Sequence, residues 1–103
     1  MLVAGLLLAG CGGGSEPSDP SRLDDAGKFA CEDFANGYGA ATTRQARVEL
    51  AGKVAKWASK SGTDRVADMS AALGRAADGS AGAWKIAADG FAQACIDGGY
   101  KTR

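Results

Sequence analysis

The sequence has no histidine and only two prolines, three Phe, two Trp and two Tyr, and its 12 Lys and Arg are cancelled by 12 Asp and Glu. Without histidine the chain lacks the commonest general base, the commonest neutral metal ligand and the usual activator of a Ser or Cys nucleophile. Zero net charge with scattered cations gives no basic stripe, so nucleic acid is not an expected partner. A length of 103 residues permits one small domain. Such a chain buries a modest share of its surface and leaves little room for an enclosed active site. The 22 Ala and 16 Gly lower the side-chain volume available for a core still further.

A long apolar run is also missing. Met1 to Gly10 reads M-L-V-A-G-L-L-L-A-G and stops at Cys11, well short of the ~20 residues that a membrane-spanning helix needs. An uncharged apolar stretch of this length followed by small residues is the pattern of a secretory signal peptide. Leu8-Ala9-Gly10-Cys11 resembles the bacterial lipobox, in which the cysteine sulfur accepts a diacylglycerol and a dedicated peptidase cuts before it. That resemblance implies that residues 1–10 are a lipoprotein signal peptide, and that Cys11 is the lipidation site and first residue of the mature chain. Small side chains suit the positions before the cut, because the peptidase must approach the backbone closely. Signal peptides carry Lys or Arg ahead of the apolar region and this one has none, so a basic leader is expected upstream of Met1. Residues 11–21 then make a lipidated Cys and linker in which Gly and Ser give flexibility, two Pro extend the chain, and nothing apolar asks for burial. The expected location is the extracytoplasmic face of the cell membrane.

From residue 22 to 103 the pattern has helical period. Ser21 with Asp24 resembles a helix start, followed by Leu23, Gly27, Ala30, Cys31, Phe34, Tyr38 and Ala41 on one side of a helical wheel. Thr42-x-x-Gln45 reads as a second capping box, ahead of a stripe of Ala46, Leu50, Val54, Trp57 and Ala58 that Gly62 closes. Glu49 and Lys53 are spaced to pair on the wet side. Thr63 or Asp64 opens a third helix with Val66, Met69, Leu73, Ala76 and Ala77 inward. Ser80 opens a fourth, with Trp84, Ala87, Ala88, Phe91 and Cys95 inward and Gly98-Gly99 at its end. Asp89-Gly90 is a candidate break in that helix. A continuous helix is expected instead, because only that keeps Trp84, Phe91 and Cys95 within one arc. No segment alternates long enough to suggest a strand. The expectation is an all-α, up-and-down four-helix bundle.

With Cys11 taken by lipid, Cys31 and Cys95 remain as an even pair in an exported chain, which predicts a disulfide between the first and last helices. Antiparallel pairing there sets a register in which Phe34 meets Phe91 and Tyr38 meets Ala87 or Ala88. A redox role is disfavoured, since there is no Cys-x-x-Cys and no adjacent base to depress either thiol.

Chemistry-bearing clusters are few. Asp24-Asp25 and Glu32-Asp33 spread around the first helix instead of converging on a cation, and no Ser sits in a Gly-x-Ser-x-Gly elbow. No catalytic residue, metal or cofactor is expected, and the chain is not expected to be an enzyme. Phe29, Val48, Ile86 and Ile96 project away from the buried stripes and form a possible partner surface. The style of the chain, Ala- and Gly-rich with a lipobox and a helical Cys pair, is similar to small helical lipoproteins of actinobacteria and their phages. The function expected is a membrane-anchored, non-enzymatic protein-interaction module at the cell envelope. The alternatives are a phage-derived superinfection-exclusion lipoprotein and a small-ligand-binding helical domain.

Overall fold

Three of the helices start on a side chain that accepts a hydrogen bond from the backbone three residues ahead. In the computed structural model, which describes residues 20–101, Asp24 accepts from Gly27 N–H at 2.8 Å, Thr43 from Ala46 N–H at 3.1 Å and Ser80 from Ala83 N–H at 3.0 Å. Each satisfies one of the free donors of a helix amino end, a contribution of ~1 kcal/mol per cap. The helices they open are α1 (Asp25–Gly37), α2 (Arg44–Ala58) and α4 (Ala81–Asp97). Between them α3 (Val66–Ala77) begins on Arg65, whose left-handed φ of 72° replaces a side-chain cap with a sharp change of direction. A short 3₁₀ turn, Tyr38–Ala40, follows α1. The proposed leader, Cys11 and residues 12–19 lie outside the described residues.

The caps correct two expected starts. α1 opens on Asp24 itself and not on Ser21, because both carboxylate oxygens of Asp24 find backbone donors. α2 opens on Thr43, one residue after the expected Thr42, since Thr43 is the hydroxyl aligned with the Ala46 N–H. Neither Thr63 nor Asp64 caps α3; Thr63 is buried and its hydroxyl is used elsewhere.

Each helix contributes one apolar stripe to a common core. Gly27, Ala30, Cys31 and Phe34 come from α1, and Leu50, Ala51, Val54 and Ala58 from α2. α3 supplies Val66, Ser70, Leu73 and Ala77, and α4 supplies Trp84, Ala88, Phe91, Ala94 and Cys95. Phe91, Leu73, Val54 and Val66 are the largest fully buried apolar side chains beside the disulfide. Successive helices pack along their length, while α1 and α4 meet over a shorter stretch. That stretch is closed by a Cys31–Cys95 disulfide with Cα atoms 5.9 Å apart, and the Phe34 and Phe91 rings meet at 5.0 Å in the expected register.

Small residues let the helices approach. A Cβ on Gly37 would lie 2.7 Å from Leu50 Cδ1, and one on Gly90 would lie 3.3 Å from Met69 Sδ. Gly90 therefore marks a close approach of α3 to α4 inside an unbroken helix. The usual cost of ~1 kcal/mol for a mid-helix glycine is set against the packing of Met69 over it. α4 ends in a Schellman turn: Gly99, at φ 103°, donates to Ile96 O and Tyr100 donates to Cys95 O.

Two inward assignments and one surface pair change. Tyr38 lies at the exposed end of α1, in the 3₁₀ turn, stacked on Phe34 at 5.2 Å. Trp57 is half-buried at the rim of the core. Glu49 accepts a hydrogen bond from Gln45, one turn earlier, and among the described residues it makes no ion pair with Lys53.

Candidate functional site

The chain enters the fold between two other segments. Pro20 O accepts from Asp64 N–H at 2.7 Å and Leu23 N–H donates to Gly98 O at 3.0 Å. The entry strand is thereby held by the α2–α3 loop on one side and the carboxyl end of α4 on the other. Asp24 is the hub of this end. Its Oδ1 accepts from Gly27 N–H and, at 2.8 Å, from the Ser61 hydroxyl, and its Oδ2 accepts from Gly62 N–H at 2.6 Å. Its own N–H donates to the Thr63 hydroxyl, which in turn donates to Arg22 O at 2.9 Å. Burial pushes the Asp24 carboxyl up, and the hydrogen bonds from Gly62, Gly27 and Ser61 outweigh it, holding it below its ordinary value of 3.8.

Beside the hub lies an open cleft of about 400 Å³ lined by Arg22, Leu23, Lys28, Glu32, Gly98, Gly99, Tyr100 and Lys101. Sequence reasoning missed it, because its walls come from the entry strand, the first turns of α1 and the residues after α4. No local spacing joins these three segments.

The expected partner surface does not form one patch around all four of its residues. Phe29 is 49% exposed and stacks on Trp57 with ring centroids 4.8 Å apart. Trp57 also meets Lys60, whose Nζ lies 5.6 Å from the ring centroid, a cation–π contact. Trp57 Nε1–H donates to Asp33 Oδ2 at 3.0 Å. The result is an aromatic face spanning α1 and α2. Val48 lies apart from it, in a shallow groove with Arg44, Gln45, Glu49 and Asp78, where Arg44 and Asp78 are ion-paired. Ile86, at 76% exposure, and Ile96, at 58%, both sit on α4 but ten residues apart, about 15 Å along the helix.

Two of the four carboxylates at the start of and along α1 are committed to structure. Asp24 holds the α2–α3 loop and Asp33 orients Trp57. Among the described residues no three His, Cys, Asp or Glu side chains gather closely enough to hold a metal ion, and no helix is long and apolar enough to cross a membrane. Among the described residues the buried atoms Ser70 Oγ and Arg47 Nε lack a hydrogen-bond partner. They lie on different helices and do not converge. Comparison with protein-family models, curated proteins and solved structures finds no match to this chain.

Proposed function

We propose that this chain is a lipid-anchored protein of the bacterial cell envelope, held by a diacylglycerol thioether on Cys11 at the extracytoplasmic face of the membrane. The observation that carries the reading is the Cys31–Cys95 disulfide. Disulfides persist in oxidising compartments, so the bond fits an exported chain. It also uses two of the three cysteines and leaves Cys11, directly after Leu8-Ala9-Gly10, for a different chemistry. Two or more acyl chains, at ~0.8 kcal/mol per buried methylene, hold a protein stably at a bilayer where one does not.

The bundle itself acts as a non-enzymatic interaction module. The support is the Phe29–Trp57 face, where a half-exposed Phe29 stacks on the half-buried Trp57 beside a polar rim of Asp33 and Lys60. Aromatic anchors ringed by polar groups are the common core of protein interfaces. Metabolic labelling with palmitate in a bacterial host tests the anchor: label should enter the wild-type chain and be lost with Cys11→Ser, and label that persists overturns it. Crosslinking in the native envelope tests the module. One protein species should be captured by the wild type and lost with Phe29→Ser, once circular dichroism has shown that variant folded; equal capture by both removes this face from the reading.

A further inference from the structure

We propose that the cleft between the entry strand, α1 and the carboxyl end of α4 is a docking site for anionic phospholipid headgroups, so that this end of the bundle lies against the bilayer. The proposal deepens the lipid-anchored reading and takes its orientation from it.

Three cations line the cleft: Arg22, Lys28 and Lys101. Among the described residues none of the three forms an ion pair. Glu32 is the one carboxylate of the lining, so the cleft keeps an excess of positive charge. Outside the lining of the cleft this end also carries Asp24, Asp25, Asp64 and Asp97, of which Asp24 and Asp97 are held by the fold. Asp24 accepts from Gly27, Ser61 and Gly62, and Asp97 accepts from Arg65 at 3.2 Å and from Gln93 at 2.9 Å. The carboxyl end of α4 would oppose an anion through its carbonyls. Four of these already accept backbone N–H groups: Ala94 from Gly98, Cys95 from Tyr100, Ile96 from Gly99 and Gly98 from Leu23. Tyr100 and Leu23 add apolar surface beside the cations, the mixture that suits the boundary of headgroup and acyl chain.

Position points to the membrane as the source of the phosphate. Arg22 belongs to the segment by which the chain enters the fold, and it follows Cys11 by only eleven positions. A stretch of that length reaches at most about 40 Å. A diacylglycerol on Cys11 would thus keep the cleft within a short distance of the headgroups. A Lys or Arg near an anionic surface strengthens binding about five-fold.

The test uses the full chain carrying Cys11→Ser, so that no lipid is attached and failure of the anchor cannot be confused with failure of the cleft. Partitioning is measured onto vesicles containing phosphatidylglycerol and onto vesicles of phosphatidylcholine alone, at about 0.1 M salt, where the Debye length is about 10 Å. The ratio of the two isolates the charge-dependent part, since the apolar first ten residues contribute to both. The expected result is a clear preference for phosphatidylglycerol. The triple substitution Arg22→Ser, Lys28→Ser, Lys101→Ser should lower it by up to the order of 100-fold, with helical circular dichroism unchanged. The triple Lys53→Ser, Arg75→Ser, Lys85→Ser, away from the cleft, should leave the ratio within about two-fold, because its charges lie farther from the surface than a Debye length. No preference in the parent, or an equal loss in both triples, overturns the proposal. So does a phosphatidylglycerol preference that survives the cleft triple while inorganic phosphate shifts the Gly98 and Gly99 amide resonances, which would make the cleft a site for free phosphate.

Discussion

Phe29 and Trp57 face each other across the α1–α2 seam at 4.8 Å between ring centroids, which makes Phe29 a packing residue as well as an exposed one. The sequence pattern puts Phe29 among Asp25, Lys28, Glu32 and Asp33, on the polar side of the helix, and it is half exposed there. What the pattern cannot show is that Trp57 emerges from the next helix at the same height. Aromatic pairs contribute about 0.5–1.5 kcal/mol beyond the area they bury. Phe29→Ser should therefore lower stability by ~1–2 kcal/mol in chemical unfolding, more than the few tenths expected of a side chain in water. Trp84→Ala, which empties a site only 4% exposed, should cost ~3–5 kcal/mol. A loss for Phe29→Ser near zero would mean that the aromatic face contributes nothing to the fold.

The disulfide joins residues 64 apart in sequence. In the chain-entropy model, closing a loop of that length stabilises the native state by ~4 kcal/mol, against ~5–15 kcal/mol for an ordinary small domain. Cys31→Ala with Cys95→Ala should thus remove much of the stability. Thermal unfolding with and without reductant checks this: the wild type should melt far lower when reduced, and the double variant should be insensitive to reductant. Equal melting temperatures for the oxidised and reduced wild type would show that the bond adds little.

The helices, their inward stripes and the disulfide register were legible because each depends on spacing within a single segment. Val54, Leu73 and Phe91 fall on their arcs by period alone, and the core confirms them. Gly90 could be read either as a turn or as a helical residue. Only the position of Met69, 21 residues earlier, explains why glycine suits that place. Thr63 looked like a cap because its residue type favours caps. In the fold its hydroxyl accepts from Asp24 N–H and donates to Arg22 O, and its own N–H donates to the Ser61 hydroxyl. The cleft was invisible for the same reason, since its three cations are 6 and 73 residues apart along the chain.

Arg65 occupies the left-handed region at φ 72°, which costs a residue with a Cβ roughly 1–2 kcal/mol. Arg65→Gly removes that strain and also the exposed ion pair with Asp97, which is worth little. The variant should be as stable as the wild type or slightly more so. Arg65→Val adds a branched Cβ at the same φ and should be less stable than Arg65→Gly by at least about 1 kcal/mol. Urea unfolding of the two variants measures the difference directly. Equal stabilities would mean that the α2–α3 turn is free to adopt another conformation.

Asp24 uses both carboxylate oxygens, and this separates charge from capping. Asn is ordinarily as good an N-cap as Asp. Here, however, an amide would turn an NH₂ group toward either the Gly27 N–H or the Gly62 N–H, donor against donor. Asp24→Asn should therefore destabilise the domain by ~1–2 kcal/mol at neutral pH, although most N-caps tolerate that exchange. The pH dependence follows from the carboxyl being held below its ordinary value of 3.8 in the folded chain. A carboxyl with a lowered folded pKa binds fewer protons folded than unfolded. Its contribution is complete above the unfolded value and is lost as pH falls below 3.8 through the folded value. The stability gap between wild type and Asp24→Asn should accordingly hold from pH 7 to about pH 5 and narrow toward pH 3. Urea unfolding of both chains across that range gives the gap at each pH. A gap that stays constant to pH 3 would show that the ionised carboxylate is not what holds the entry strand to the α2–α3 loop.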